Sequence, residues 1–258
     1  MNVPLQIWLG FWRWRQLYHR YTVEGIERLD GRRPMLIVGY HGRPLAYDMC
    51  MLTVALYDRL GYLPHGVIHR GVETVPGLGW CIDALGFVTS DGEGIERAVA
   101  RGEHVVVTPG GAAEGCRGLA DRYRVAWGTR TGYLRLALRY DLPIVPVAAS
   151  GADDAYIGLY DGPALGRRLG LPPDWAWLPW LGVGPIGPWP LSPPFPVRMR
   201  QLIGEPIHPR AEGLQHAEDR EGLLRLHGRV TLAVQALLDR ARSPAAPDRI
   251  VERVAQHG

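Results

Sequence analysis

No lysine occurs anywhere in the 258 residues, so all 29 positive side chains are arginine. That uniform choice is what a GC-rich coding bias produces, and it identifies no binding device. The resulting net charge of +3 is compatible with an anionic membrane surface but too small and too dispersed to argue for nucleic acid. Cysteine is scarce: Cys50, Cys81 and Cys116 lie far apart without paired metal spacing, which argues against a disulfide framework and a zinc site and points to a reducing compartment. No apolar run is long enough to span a bilayer, and no charged start with a small-residue cleavage site suggests a signal peptide. A serine-hydrolase elbow, Gly-x-Ser-x-Gly, is also missing; Ser150-Gly-Ala-Asp153 comes nearest and lacks the first glycine. The Gly92-Glu-Gly94 step follows no phosphate-type turn and lacks a third glycine, so it is not a dinucleotide fingerprint. There is no internal repeat. With 47% hydrophobic and 21% charged residues, the chain has enough apolar content for one full core.

Within that frame, the stretch Met35-Leu-Ile-Val-Gly-Tyr-His-Gly-Arg-Pro-Leu-Ala-Tyr-Asp48 stands out. Met35 to Val38 is an apolar run of strand length, broken sharply by Gly39-Tyr-His-Gly42, which puts His41 at a strand end. From Pro44 the pattern reads as a helix start, with Leu45, Met49, Leu52, Leu56 and Leu60 near helical spacing, so Asp48 falls in its first turn. A carboxylate accepting from one imidazole nitrogen would fix the tautomer and leave the other nitrogen to take a proton. His41 and Asp48 are therefore the candidate catalytic pair.

Val105-Val-Val-Thr-Pro-Gly-Gly-Ala-Ala-Glu114 is the second informative stretch: a β-branched strand runs into paired glycines and then a glutamate. Gly110 and Gly111 would let backbone amides approach a ligand closely. The remaining strand signals are Tyr21–Leu29 (an edge strand), His65–Arg70, Gly86–Thr89, Asp141–Val147 and Val197–Gly204. Helical signals fall between them at Val75–Leu85, Gly92–Gly102 and Tyr133–Arg139, and Asp219–Arg242 carries Leu223, Leu226, Val230, Val234, Leu237 and Leu238 on one side. A short last helix follows Pro247. Alternating strands and helices imply an α/β fold with a mostly parallel or mixed central sheet and its chemistry at strand ends.

Two segments look made for lipid. Pro4–Arg20 sets Ile7, Phe11, Trp14 and Tyr18 at helical spacing, with Trp8, Trp12, Arg13 and Arg15 beside them, the mix expected of an amphipathic helix lying in the headgroup plane. Packing on the protein's own core is the competing expectation. Residues 172–196 are dense in proline and tryptophan and nearly uncharged, so they form neither a regular helix nor a central strand. They are expected to face a membrane or cover an acyl chain, folding over the core being the alternative.

The order of these motifs resembles the four blocks of the glycerolipid, or lysophospholipid, acyltransferase superfamily over roughly residues 20 to 208. The blocks are His41 with Asp48, Val75-Pro-Gly-Leu-Gly79 before Gly86-Phe-Val88, Pro109-Gly-Gly-Ala-Ala-Glu114, and Ile144-Val-Pro-Val147. Tyr40-His-Gly42, together with Pro-Gly-Gly-Ala-Ala-Glu in place of the commoner Pro-Glu-Gly, is similar to the branch holding monoacylglycerol and type-two diacylglycerol acyltransferases. Two departures matter. Six residues separate His41 from Asp48 where the common pattern has four, and Thr89-Ser-Asp-Gly-Glu93 lacks the arginine that phosphate-using members carry there. Arg70, Arg117 and Arg130 are the candidates to replace it.

The resemblance implies an acyltransferase-like core at 21–210 (residues 172–196 forming its Trp/Pro-rich loop), an interfacial helix at 1–20 and a helical segment at 211–258. It implies single-step transfer of a fatty acyl group from acyl-coenzyme A, or from acyl carrier protein, to a glycerolipid hydroxyl. His41 would be the general base, the Gly110 and Gly111 amides would stabilise the oxyanion, and Glu114 would position the acceptor or hold its loop. No cofactor, metal or nucleic acid is implied, and the place is the cytoplasmic face of a membrane, peripherally bound. The alternatives are a lysophosphatidate acyltransferase of phospholipid synthesis and, from another class, a noncatalytic lipid-binding protein on the same scaffold.

Overall fold

The computed structural model describes residues 2–29, 33–68, 78–89 and 93–243. Arg70, the 75–77 part of the second block and the expected last helix lie outside the described residues. In chain order the elements are α1 (Val3–Tyr18), β1 (Thr22–Glu24), β2 (Leu36–Gly39), α2 (Tyr47–Leu60), β3 (His65–Ile68), α3 (Leu78–Leu85), β4 (Val88–Thr89), α4 (Glu93–Ala100) and β5 (Val105–Val107). There follow α5 (Gly111–Gly115), α6 (Gly132–Arg139), β6 (Ile144–Ser150), β7 (Ile157–Gly158), α7 (Gly162–Arg168), β8 (Gly182–Gly184), β9 (Gly187–Pro188), β10 (Arg200–Ile203) and α8 (Arg220–Arg242).

The main sheet has the order β1-β10-β6-β2-β5-β3-β4. The five strands from β6 to β4 run parallel, and β10 turns antiparallel against β6, with β1 parallel to it at the edge. The sheet is therefore mostly parallel, as the alternating pattern implies. Strand β2 sits in the middle and is wholly buried, which its unbroken apolar run requires. Its period-two alternation divides the core. Leu36, Val38 and Tyr40 join Val105, Ile144 and Leu202 under α4, α6 and α8; Ile37 joins Val106, Val145 and Ile203 under Met49, Leu52 and Leu56 of α2. Gly39 faces α2 so closely that a Cβ there would meet the Met49 sulfur at 2.3 Å.

Helix α1 has two apolar faces. Leu9 and Trp12 are buried in a third cluster with Tyr47, Met51 and Val54 of α2, so the core-packing expectation holds for that face. Val3, Ile7, Phe11, Trp14 and Leu17 form an exposed stripe on the other. The Trp/Pro-rich segment divides in the same way. It supplies β8 and β9, which join β7 from earlier in the chain in a small antiparallel sheet, and buries Ala176 and Trp180, while Trp175, Leu178, Ile186 and Leu191 remain exposed. Too many large apolar side chains occupy both segments for one core to absorb them all.

Candidate active site

Register sets the site. Val38 of β2 pairs with Val107 of β5, so the third residue beyond each, His41 and Gly110, leaves the sheet at the same level of two adjacent parallel strands. Openings at the carboxyl ends of parallel strands are where α/β sheets bind ligands.

Helix α2 begins at Tyr47 and not at Pro44. The intervening residues make a tight turn in which Arg43, Leu45 and Ala46 take left-handed backbone conformations, with φ of 51°, 70° and 49°. Non-glycine residues adopt such angles at a cost, and runs of them mark functional loops. The two residues beyond the common spacing are thus absorbed before the helix, and Asp48 becomes its second residue.

The expected hydrogen bond from the His41 ring to Asp48 does not form. The Asp48 carboxyl accepts instead from the Gly42 N–H at 3.2 Å, its Oδ2 has no partner, and burial pushes its pKa well up, with the Gly42, Met49 and Asp48 amides opposing. Asp48 braces the peptide that follows His41 and does not touch the imidazole. His41 is 8% exposed, and its Nδ1 is enclosed without a hydrogen-bond partner, whereas Nε2 is not among the enclosed, unpartnered atoms. Burial lowers its pKa to about 4, against the smaller opposing effect of the His41 and Arg43 backbone carbonyls. The ring is therefore neutral at pH 7, the state a general base requires.

Glu114 accepts hydrogen bonds on both carboxylate oxygens. Its Oε2 accepts from the His41 backbone N–H at 2.9 Å and from the Trp127 indole at 3.2 Å, and its Oε1 accepts from the Ala126 N–H at 2.7 Å. Three donors on one buried carboxylate favour the ionised form; burial acts more strongly the other way and raises the pKa to about 7. The Gly111 N–H closes a turn onto the Thr108 carbonyl at 2.9 Å, which leaves Gly110 as the freer of the two candidate amides. Arg130 is exposed and clamps that turn, donating to the Pro109 and Gly110 carbonyls at 3.0 and 2.6 Å. Arg117 is buried. It donates to the Tyr40 hydroxyl and the Arg124 carbonyl and lies over the Tyr40 ring, so it is spent inside the protein.

Sequence reasoning gave no role to Tyr40, Arg43, Tyr123 or Asp153, which form one buried network beside His41. The only available signal was position: Asp153 follows the end of β6 as His41 follows that of β2. Among the described residues no group of three or more His, Cys, Asp or Glu side chains is arranged to hold a metal ion.

The chain belongs to the acyltransferase family, whose pattern it matches over residues 20–150. It is 25% identical over 226 residues to a Bos taurus protein named "DGAT1/2-independent enzyme synthesizing storage lipids", covering 87% of this chain and 60% of the relative. It is 31% identical over 204 residues to an uncharacterized protein of Mycobacterium tuberculosis, covering 74% of this chain and 52% of that one. The chain thus spans between about half and three-fifths of the length of these relatives. The crystal structure of the 1-acyl-sn-glycerophosphate acyltransferase PlsC from Thermotoga maritima shares the fold, with a TM-score of 0.54 at 17% identity over 93% of this chain and 81% of that one.

Proposed function

We propose that the protein moves a fatty acyl group from an acyl thioester, acyl-coenzyme A in the simplest case and acyl carrier protein otherwise, to a hydroxyl of a glycerolipid, with His41 as general base. The observation that carries this reading is the placement of His41: it leaves the sheet at the carboxyl end of β2, level with Gly110 beyond β5, with Nδ1 enclosed by protein while Nε2 is not among the enclosed, unpartnered atoms. Nε2 then takes the acceptor's proton as its oxygen attacks the thioester carbonyl. The tetrahedral intermediate collapses, the carbon–sulfur bond breaks, and the imidazolium returns the proton to the thiolate. The Gly110 backbone N–H is the candidate donor to the oxyanion, since the Gly111 N–H is engaged by the Thr108 carbonyl.

A neutral acceptor, a mono- or diacylglycerol, fits best. Arg117 is consumed by Tyr40, and no arginine follows β4 in the second block. The name of the bovine relative, a storage-lipid enzyme, supports the same choice. Exposed Arg130 beside the turn keeps lysophosphatidate as the second reading.

The lipid substrate would be met at a membrane surface, at the cytoplasmic face, through the exposed stripe of Ile7, Phe11, Trp14 and Leu17. No helix among the described residues is long and apolar enough to cross a membrane. Phe11→Ala with Trp14→Ala should weaken sedimentation with lipid vesicles several-fold while leaving the fold intact; unchanged sedimentation removes this part of the reading.

The central test is transfer from acyl-coenzyme A to monoacylglycerol, diacylglycerol and lysophosphatidate by wild-type and His41→Ala protein. Loss of a positioned base costs a factor of about 10² to 10⁴, or roughly 3 to 5 kcal/mol of barrier. A folded His41→Ala protein that keeps more than about a tenth of the transfer rate refutes the mechanism.

A further inference from the structure

Asp153 lies just beyond the end of β6 and plays no part in the reaction described above, yet a buried polar network beside His41 converges on it. Its Oδ2 accepts from the Tyr40 hydroxyl and, at 2.5 Å, from the Tyr123 backbone N–H. Its own backbone carbonyl accepts from Arg43 Nε at 2.8 Å. Two guanidinium groups flank the carboxylate, Arg43 at 3.9 Å and Arg117 at 3.6 Å, and Arg117 also donates to the Tyr40 hydroxyl. Arg43 donates in turn to the Arg117 carbonyl at 2.8 Å, and the Trp180 indole reaches the same carbonyl at 3.1 Å.

None of these three charged groups reaches water to any extent: Asp153 and Arg43 are 0% exposed and Arg117 is 4% exposed. Two cations are enclosed against one anion, and Arg43 Nη2, Arg117 Nε and Asp153 Oδ1 have no hydrogen-bond partner. Such a set is a poor way to gain stability, since desolvating three charges offsets most of their attraction and apolar side chains of similar volume serve as well or better. In some proteins buried charges instead specify a single geometry, because the alternatives leave a charge unpaired.

The residues so fixed are informative. Tyr40 immediately precedes His41, and Arg43 follows it by two. The His41 N–H itself is held by Glu114, and the Arg43 carbonyl and the His41 ring both press on Gly115, where a Cβ would lie 2.5 Å from the Arg43 oxygen and 2.7 Å from Nδ1. The Tyr40 hydroxyl and the His41 N–H are thus hydrogen-bonded to buried carboxylates, and Arg43 is hydrogen-bonded to the Asp153 backbone carbonyl with the Asp153 carboxylate 3.9 Å from its guanidinium. The turn between them includes the left-handed Arg43, which would relax if released.

We infer that Asp153 is a positioning residue for acyl transfer: through Tyr40 and Arg43 it fixes the backbone on both sides of His41 and so aims the imidazole. The inference rests on the reading of His41 as the base. Misaiming a base by an ångström costs up to about 10²-fold in rate without altering how substrates bind.

Three purified variants test it, with folding monitored by circular dichroism and thermal melting. Asp153→Ala should lower kcat about thirtyfold, Asp153→Asn about tenfold because one oxygen still accepts from Tyr123 or Tyr40, and Tyr40→Phe about threefold because it leaves all three charges in place. In each, KM for donor and acceptor should stay within about twofold of wild type, the pattern of a lost transition-state geometry and not of lost binding. Should Asp153→Ala not fold, the other two carry the test. Folded Asp153→Asn and Tyr40→Phe proteins with wild-type kcat overturn the inference, as does a rise in KM at constant kcat. If His41→Ala is itself fully active, the underlying mechanism fails; if His41→Ala is dead while the Asp153 variants are unimpaired, only the positioning role fails.

Discussion

The loops that leave β2 and β5 lie side by side and contain every residue of the proposed chemistry, but they are built in opposite ways. The β5 loop is saturated: Glu114 accepts three N–H donors, the Gly111 amide closes its turn, and Arg130 caps two carbonyls. The β2 loop is left short of partners. His41 Nδ1, Arg43 Nη2 and Asp48 Oδ2 are all buried without a hydrogen bond, and the backbone passes through three left-handed residues. The difference assigns the work: one loop holds still, and the other is held. A reacting ring must keep a nitrogen free, so the stiffness it needs has to come from its neighbour.

Breaking the holding loop should therefore do the most damage. Glu114→Ala strands the His41 and Ala126 amides and the Trp127 indole, each at a cost of about 1 to 3 kcal/mol, and should lower both the melting temperature and kcat. If its effect falls only on the acceptor's KM, Glu114 touches substrate and the contrast between the loops is wrong. Gly115→Ala probes the contact between them. Its Cβ cannot sit 2.5 Å from the Arg43 carbonyl, so the His41 turn must move, with an expected kcat loss of about tenfold and a smaller loss of stability. Asp48→Asn should do least. An uncharged Asn matches a carboxyl whose pKa is raised by burial, keeps an acceptor for Gly42, and should change kcat by less than about threefold. A hundredfold loss would mean that Asp48 reaches the imidazole during turnover.

The fold was legible because strand and helix periods are local and insistent. The Met35–Val38 run, the β-branched Val105–Val107 and the leucine side of α8 each declare a buried face. The position of His41 followed from the same reading, since it lies just past the end of β2, and Glu114 lies in α5, which follows β5. Pairing was not legible. The sequence places Asp48 within reach of His41, but the chain turns left-handed at Arg43, Leu45 and Ala46, a choice of torsion angles that no spacing rule reports. Asp153 was invisible for a related reason: its partners Tyr40, Arg43, Arg117 and Tyr123 are brought together only by the sheet order β6-β2-β5. Arg117 looked like a free cation for a phosphate until its burial and the Tyr40 hydroxyl beside it were seen.

Helix α1 carries a practical consequence for anyone handling this protein. Leu9 and Trp12 are 2% and 3% exposed and plug the same cluster as Met51 and Val54, while Ile7 and Leu17, 67% and 79% exposed, point outward. Cutting the helix away to improve solubility would exchange a greasy outer stripe for an open apolar hole, and losing the Trp12 side chain alone is worth about 3 to 5 kcal/mol. Detergent, and not truncation, is then the route to a monodisperse sample, because the float and the cork are the same piece of chain.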